Sequence, residues 1–180
     1  MSDYELGMKV VEEWHLDLFR EAYEVATGQR LTLVGLGERP DFICRRPNGR
    51  LVGIELTQVV RDPASATADS ILRGREFADA YETSDRIYAT IQQKERKRST
   101  GQWRHRDRTV LVLTVMDCPL SELAPFLDGL GPEDFGPHGF SEVFISDHSE
   151  LDAYGAVELF GLHPRRLWGH FEWYRGKPYG

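Results

Sequence analysis

The chain has 180 residues, an apolar content of 41%, a charged content of 28% and a formal net charge of −7. These values are typical of a single globular domain over residues 1–180, and they exclude a protein coated in positive charge. No apolar run approaches the roughly 20 residues of a membrane span, and no signal peptide is visible, which predicts a cytoplasmic protein without a membrane partner. Two distant cysteines, Cys44 and Cys118, are expected to be buried free thiols of a reducing compartment.

The first half of the chain alternates helical and strand patterns. Apolar residues recur from Leu6 through Val10, Trp14 and Leu18 to Val25, which predicts a helix over 4–26 that ends at Gly28. A short strand over 31–34 follows, and then a hairpin whose strands cover 42–46 and 51–59. Residues 66–98 are predicted to be largely helical, with a break at 82–84 where Ser84 caps a second helix.

The second half begins with the most apolar segment, residues 109–116, which predicts a strand buried on both faces. A short helix over 122–130 capped by Ser121, strands over 142–146 and 157–162, and an aromatic tail that packs on the core complete the prediction. This order of elements indicates an α/β fold in which helices flank a mixed central β-sheet.

Two carboxylates stand on the predicted hairpin, Asp41 before its first strand and Glu55 within its second. Side chains alternate between the faces of a strand, so the apolar faces match if Phe42 lies opposite Leu56. That register places Asp41 beside Thr57, diagonal to Glu55 and on the same side of the sheet. Two such acids are a site for Mg²⁺ or Mn²⁺, and a cation of this kind polarises phosphate and activates water.

The hairpin turn gives a competing signal. Asn48-Gly49 favours a two-residue turn, which would place Phe42 opposite Glu55 and the two acids on opposite faces. Register follows the buried face more closely than the turn signal. The prediction is therefore a three- or five-residue loop, or a bulge.

The combination of Pro40-Asp41 with Glu55-Leu56-Thr57 after a turn resembles the PD-(D/E)XK nuclease superfamily, in particular bacterial members that read RPDF, then GIE(L/V)T, then a helix rich in Ile and Lys. The resemblance spans about residues 10–115. It implies a restriction-endonuclease-like fold, a mixed sheet flanked by helices with the acids at a fork between strands. It also implies that Asp41 and Glu55 hold Mg²⁺ or Mn²⁺ with the help of the Leu56 carbonyl.

The lysine that the superfamily places two residues after the second acid maps to Thr57, which cannot supply its charge and would act through its hydroxyl. Some branches carry this lysine on the following helix. Ile87, Ile91 and Lys94 fall on one helical face, so Lys94 is the first candidate and Lys97 the second. A positioned ammonium would orient the attacking water or neutralise phosphate charge.

Two further sets of residues extend the predicted site. Many superfamily members use a glutamate of the first helix as an additional ligand; Glu13 suits the spacing of the resemblance, Glu21 suits the apolar stripe, and Glu24 is the third candidate. A local basic window attracts phosphate even in an acidic protein. Its predicted nucleic-acid contacts are Arg96, Arg98, Arg104, Arg106 and Arg108.

The sequence thus predicts a magnesium-dependent endonuclease that acts on DNA or RNA. One rival is a catalytically inactive nuclease-fold protein that binds nucleic acid or a protein partner, because fold alone does not fix function. A second rival is an interaction protein of another α/β class, in which Asp41 and Glu55 lie far apart in solvent. A homodimer is left open.

Overall fold

A computed structural model describes residues 3–59, 79–101, 103, 108–127, 138–151 and 155–174. Its first element, helix α1 (Asp3–Thr27), confirms the predicted helix. The helix ends at Gly28, whose φ is 68° and whose N–H donates to the Glu24 carbonyl over 2.8 Å. Glycine adopts this left-handed conformation without steric cost, which explains the stop.

The buried face of α1 agrees with the predicted stripe only in part. Val10 is 64% exposed and Val25 is 61% exposed. Leu18 and Ala22 of that stripe are buried as predicted. They share the core with Leu16, Phe19 and Tyr23, and the Phe19 and Tyr23 rings pack edge-on against Phe144. The centre of the buried face is therefore shifted from the predicted stripe toward the two aromatic residues, because burial scales with apolar surface.

In the described part of the chain the sheet has seven strands that follow chain order, which confirms the predicted mixed α/β architecture. The strands are β1 (Thr32–Leu36), β2 (Phe42–Arg45), β3 (Leu51–Val59), β4 (Thr109–Val115), β5 (Glu142–Asp147), β6 (Ala156–His163) and β7 (Gly169–Tyr174). Strands β1 to β3 form an antiparallel meander, β3, β4 and β5 are parallel, and β5 to β7 are antiparallel. The aromatic tail therefore packs on the core partly as an edge strand.

Helix α2 (Ala80–Thr100) begins earlier than predicted. Asp79 is its N-cap and accepts a hydrogen bond from the Glu82 backbone N–H over 2.9 Å. Ser84, the predicted cap, is buried inside the helix and donates its hydroxyl to the Tyr81 carbonyl. The Asp79 side chain thus accepts one of the backbone N–H groups that the first turn leaves without a partner. The helix continues through residues 82–84, so the break predicted there is wrong. The part of the prediction over 66–78 lies outside the described residues.

Helix α3 (Leu120–Leu127) begins before the predicted start. Its Leu120 N–H is held by the Asp147 carboxylate over 2.7 Å, not by Ser121. That carboxylate belongs to the end of β5, so a contact between distant parts of the chain replaces the predicted local cap.

Two layers of helix sandwich the sheet. Helix α1 packs on one face with Ile54, Val112 and Phe144, whereas α2 and α3 pack on the other face with Leu111 and Ile145. Strand β4 is buried along its whole length, as predicted. The two cysteines are free and buried. No helix in the described part of the chain combines the length and apolarity that crossing a bilayer requires.

Candidate functional site

The hairpin between β2 and β3 closes through a three-residue loop, Pro47-Asn48-Gly49. The Arg46 N–H donates to the Arg50 carbonyl over 2.9 Å, and Gly49 adopts a φ of 80°. A three-residue loop of this kind places glycine at its left-handed position. One of the predicted loop lengths is thus confirmed, and the two-residue turn is excluded.

The register that this loop sets pairs Phe42 with Ile54 and Cys44 with Val52. The predicted pairing of Phe42 with Leu56 is therefore wrong by two residues. Both registers bury the same faces, because side chains alternate with a period of two. The hydrophobic pattern determines which face is buried but is the same for both registers. The three-residue loop determines which register forms.

The two strands separate where the acids stand. The paired residues end at Phe42 and Ile54, while β3 continues beside β4 as far as Val59. Beyond this point β3 has no β2 residue paired with it, and the Asp41 carboxylate takes the place of a backbone acceptor. It accepts a hydrogen bond from the Leu56 N–H over 2.9 Å. The N–H and C=O of one strand residue point to the same side, so the Leu56 carbonyl also faces the fork.

Gly53 allows the chain to approach the fork closely. A Cβ at this position would lie 2.4 Å from Cγ of Pro40, the residue before Asp41. Any larger residue at Gly53 would push Pro40 away, so the glycine helps to set the position of Asp41.

Glu55 lies on the α2 side of the sheet and is only 5% exposed. Its Oε1 is 2.7 Å from Nζ of Lys94, which reaches it from α2. Its Oε2 is buried and has no hydrogen-bond partner among the described residues. The predicted stripe places this lysine, since Ile87 and Ile91 are buried on the same helical face.

Asp41 is strongly perturbed in this setting. Burial, followed by the negative charge of Glu55, raises its pKa to about 7. The hydrogen bond from the Leu56 N–H and the positive charge of Lys94 act in the opposite direction, and the charge of Glu12 raises the pKa further. An acid whose pKa is raised by burial and by a neighbouring carboxylate belongs to a site that favours either a bound proton or a cation.

Glu12 is the residue of α1 that the sequence prediction missed. It is half-buried and its charge acts on Asp41, whereas the predicted ligand Glu13 is exposed, as are Glu21 and Glu24. A signal existed in the sequence: Glu12 continues the buried stripe Leu16, Phe19 and Tyr23 at helical steps of four, three and four residues.

A cleft of about 320 Å³ opens beside Glu55. It is lined by Glu38, Arg39, Glu55, Lys94, Lys97, Thr100, Gly101 and Trp103. The structure therefore brings Lys97, the second candidate lysine, to the same cleft as Lys94. Thr57 stands two residues after Glu55 on the same face of β3 and is half-buried.

The predicted basic window is only partly a surface feature. Arg98 is 7% exposed, its guanidinium is 2.8 Å from Glu95, and it lies over the Phe140 ring. These contacts hold Arg98 in the fold, and its predicted contact with nucleic acid stays a prediction. Arg96 and Arg108 are exposed. The remaining two arginines of the window, at 104 and 106, lie outside the described residues.

A separate group of potential ligands lies on the C-terminal strands. Donor atoms of Glu158, His170 and Glu172 are within 4.8 Å of one another, and across the described ranges this is the one such group of three. The pairing of Glu158 with Glu172 between β6 and β7 creates it. Exposed groups of this kind are common without an ion, and the sequence had given no metal-ligand spacing here.

Comparisons with protein-family models, with curated proteins and with solved structures find no match to this chain. The resemblance to the PD-(D/E)XK superfamily therefore stays a prediction, and the interpretation of the site depends on its residues and their geometry.

Proposed function

We propose that the protein is a metal-dependent phosphodiesterase that cleaves nucleic acid, with Asp41 and Glu55 holding Mg²⁺ or Mn²⁺ and Lys94 assisting. One observation carries the proposal. The buried Glu55 carboxylate has one oxygen on Lys94 and the other without a partner among the described residues, and it acts on an Asp41 whose pKa is about 7. A buried acid with a strongly perturbed pKa is typical of functional sites.

The donor set suits a hard divalent cation. The Asp41 carboxylate, Glu55 Oε2 and the Leu56 carbonyl are all oxygen donors, which Mg²⁺ and Mn²⁺ prefer. A buried carboxylate oxygen without a partner costs free energy, and a cation would remove that cost. When bound, such an ion polarises a phosphate oxygen and lowers the pKa of its water.

Lys94 supplies the positive charge that Thr57 lacks. Its ammonium is 2.7 Å from Glu55, and its side chain is 17% exposed beside the cleft. From that position it neutralises Glu55, and it can donate a hydrogen bond to a phosphate oxygen or to the attacking water. A lysine carried on the helix after the hairpin is the variation that the resemblance implies.

A non-catalytic binding protein is the second candidate function. The ion pair between Lys94 and Glu55 already neutralises one carboxylate oxygen without a cation. Thr57 also stands where the superfamily has lysine. This alternative predicts binding of nucleic acid or of a protein partner that EDTA leaves unchanged.

Cleavage assays with matched variants test the proposal. The substrates are supercoiled plasmid, single-stranded DNA and RNA, each incubated with Mg²⁺, Mn²⁺ or EDTA. We expect metal-dependent cleavage that Glu55→Gln and Lys94→Met each reduce by about 100-fold or more. Glu150→Gln, which removes an exposed acid elsewhere, is expected to keep full activity.

Calorimetric titration with Mn²⁺ provides a second measurement. Wild type is expected to bind the ion and Glu55→Gln to bind it at least tenfold more weakly. Equal cleavage by wild type and Glu55→Gln would identify a contaminating nuclease. No Mn²⁺ binding by wild type would reject the metal centre itself.

A further inference from the structure

The cleft beside Glu55 contains a second buried polar group without a partner. Trp103 is 9% exposed, and no described residue accepts a hydrogen bond from its Nε1–H. The indole edge lies against Gly101, since a Cβ built there would be 3.0 Å from both Nε1 and Cδ1. Both residues line the cleft. A buried N–H without an acceptor costs free energy, so a ligand that supplies an acceptor is favoured here.

The charges of the cleft favour an anionic acceptor. Lys94 is engaged with Glu55, which leaves Arg39 and Lys97 as cations at the rim, opposed by Glu38. The last carbonyls of α2 carry partial negative charge, and Lys97 in the final turn offsets it. An N–H donor beside two cations is the arrangement that binds a phosphate oxygen.

We propose that this cleft is a phosphate subsite for single-stranded nucleic acid. Trp103 donates its Nε1–H to a phosphate oxygen, and Lys97 and Arg39 neutralise the phosphate. The substrate class rests on the proposed function. Because Trp103 is buried below the rim, the phosphate must enter a space of about 320 Å³ to reach it. A flexible single strand can bend into such a space, whereas duplex DNA is stiff over about 150 base pairs.

Fluorescence anisotropy in EDTA tests the subsite, with a short labelled single strand and the same sequence as a duplex, in DNA and in RNA. We expect wild type to bind the single strand at least about tenfold more tightly than the duplex. Trp103→Phe, which keeps an aromatic ring and removes the N–H, is expected to weaken single-strand binding about tenfold. The matched control Trp14→Phe changes a tryptophan that contacts His15 and His148, and is expected to leave binding unchanged.

Lys97→Ala is the second test variant. Lys97 is exposed, so this protein is expected to fold even if Trp103→Phe does not. It should weaken binding severalfold and reduce the slope of log affinity against log salt by about 1. Arg165→Ala removes an exposed cation of the 3₁₀ helix between β6 and β7 and is the charge control.

The outcomes separate this inference from the proposed activity. Unchanged affinity in Trp103→Phe, or in Lys97→Ala where the first variant is unfolded, overturns the subsite. Equal affinity of wild type for duplex, or for inorganic phosphate, overturns the assignment to a single strand. If Trp103→Phe weakens binding but wild type does not cleave any substrate, the subsite is supported and the nuclease activity is rejected. If wild type cleaves and Trp103→Phe changes neither binding nor cleavage, the nuclease activity is supported and the subsite is rejected.

Discussion

Replacing Asp41 with Asn is expected to stabilise the protein at pH 8 while removing one ligand of the proposed cation site. Asparagine keeps a side-chain oxygen that can accept the Leu56 N–H, so the fork retains its hydrogen bond. The substitution removes a charge that is buried beside Glu55. Stability gained at the cost of function is expected at a site whose charges are held together against their repulsion.

The sign and size follow from the pKa of Asp41. In the unfolded chain this carboxyl titrates near 3.9, whereas in the native protein burial and Glu55 raise its pKa to about 7. The native state therefore binds more protons than the unfolded state between these values. Its stability falls as the pH rises from about 4 to 7, and the full penalty applies above pH 7. The difference corresponds to roughly 4 kcal/mol, and solvent near a partly exposed Asp41 reduces it to about 1–3 kcal/mol.

Urea denaturation of wild type and Asp41→Asn in EDTA, from pH 4.5 to 8.5, measures this difference. We expect the variant to be more stable than wild type by less than about 1 kcal/mol near pH 4.5 and by about 1–3 kcal/mol at pH 8. Buried histidines titrate in both proteins and cancel. Asp85→Asn, an exposed position on α2, is expected to stay within about 0.5 kcal/mol of wild type throughout. A variant that is less stable at pH 8, or a difference that does not depend on pH, would refute the reasoning. Added Mn²⁺ is expected to stabilise wild type and not Asp41→Asn, which reduces the difference in unfolding free energy between the two proteins at pH 8.

Two further pairs of variants test separate contacts. Glu12→Gln is expected to lower the pKa of Asp41, since the charge of Glu12 raises it, whereas Glu13→Gln is expected to leave this pKa unchanged. NMR titration of the Asp41 carboxyl measures the pKa in both variants. An equal shift in the two variants would contradict the placement of α1. Arg98→Ala is expected to lower the free energy of unfolding by about 2–3 kcal/mol because it breaks a buried ion pair. Arg96→Ala, at an exposed position, is expected to change it by less than about 0.5 kcal/mol. Urea denaturation of the two variants measures both values, and an equal loss of stability would contradict the role of the ion pair.

Elements with a strong local signal were predictable from the sequence. The apolar run of β4 and the glycine after α1 specify a buried strand and a helix end through nearby residues. Caps were less predictable, because they depend on which partner is near. Leu120 is capped by Asp147 from another strand, and no local pattern reveals a contact across 27 residues.

For the site, the sequence predicted which face of the sheet each acid occupies, but not the register of the two strands. Alternation along β3 placed Glu55 on the face that Asp41 shares, and the helical stripe led from Ile91 to Lys94. The offset of two residues was invisible because both registers bury the same side chains. Glu12 was missed for a related reason: the buried face of α1 is shifted toward Phe19 and Tyr23, and that shift depends on their packing against Phe144 in another element.

The role of Asp41 divides into a structural part and a chemical part, and the two demand different residues. The structural part is to accept the Leu56 N–H where β2 no longer runs beside β3. Asparagine fills that role without a buried charge. A neutral residue would therefore serve the hydrogen bond better, since burial and the charge of Glu55 raise the pKa of Asp41 to about 7. A carboxylate is better than asparagine here only when a cation binds both Asp41 and the Glu55 oxygen that has no partner among the described residues. The conflict between local stability and charge at this fork is the physical argument for a metal-binding function.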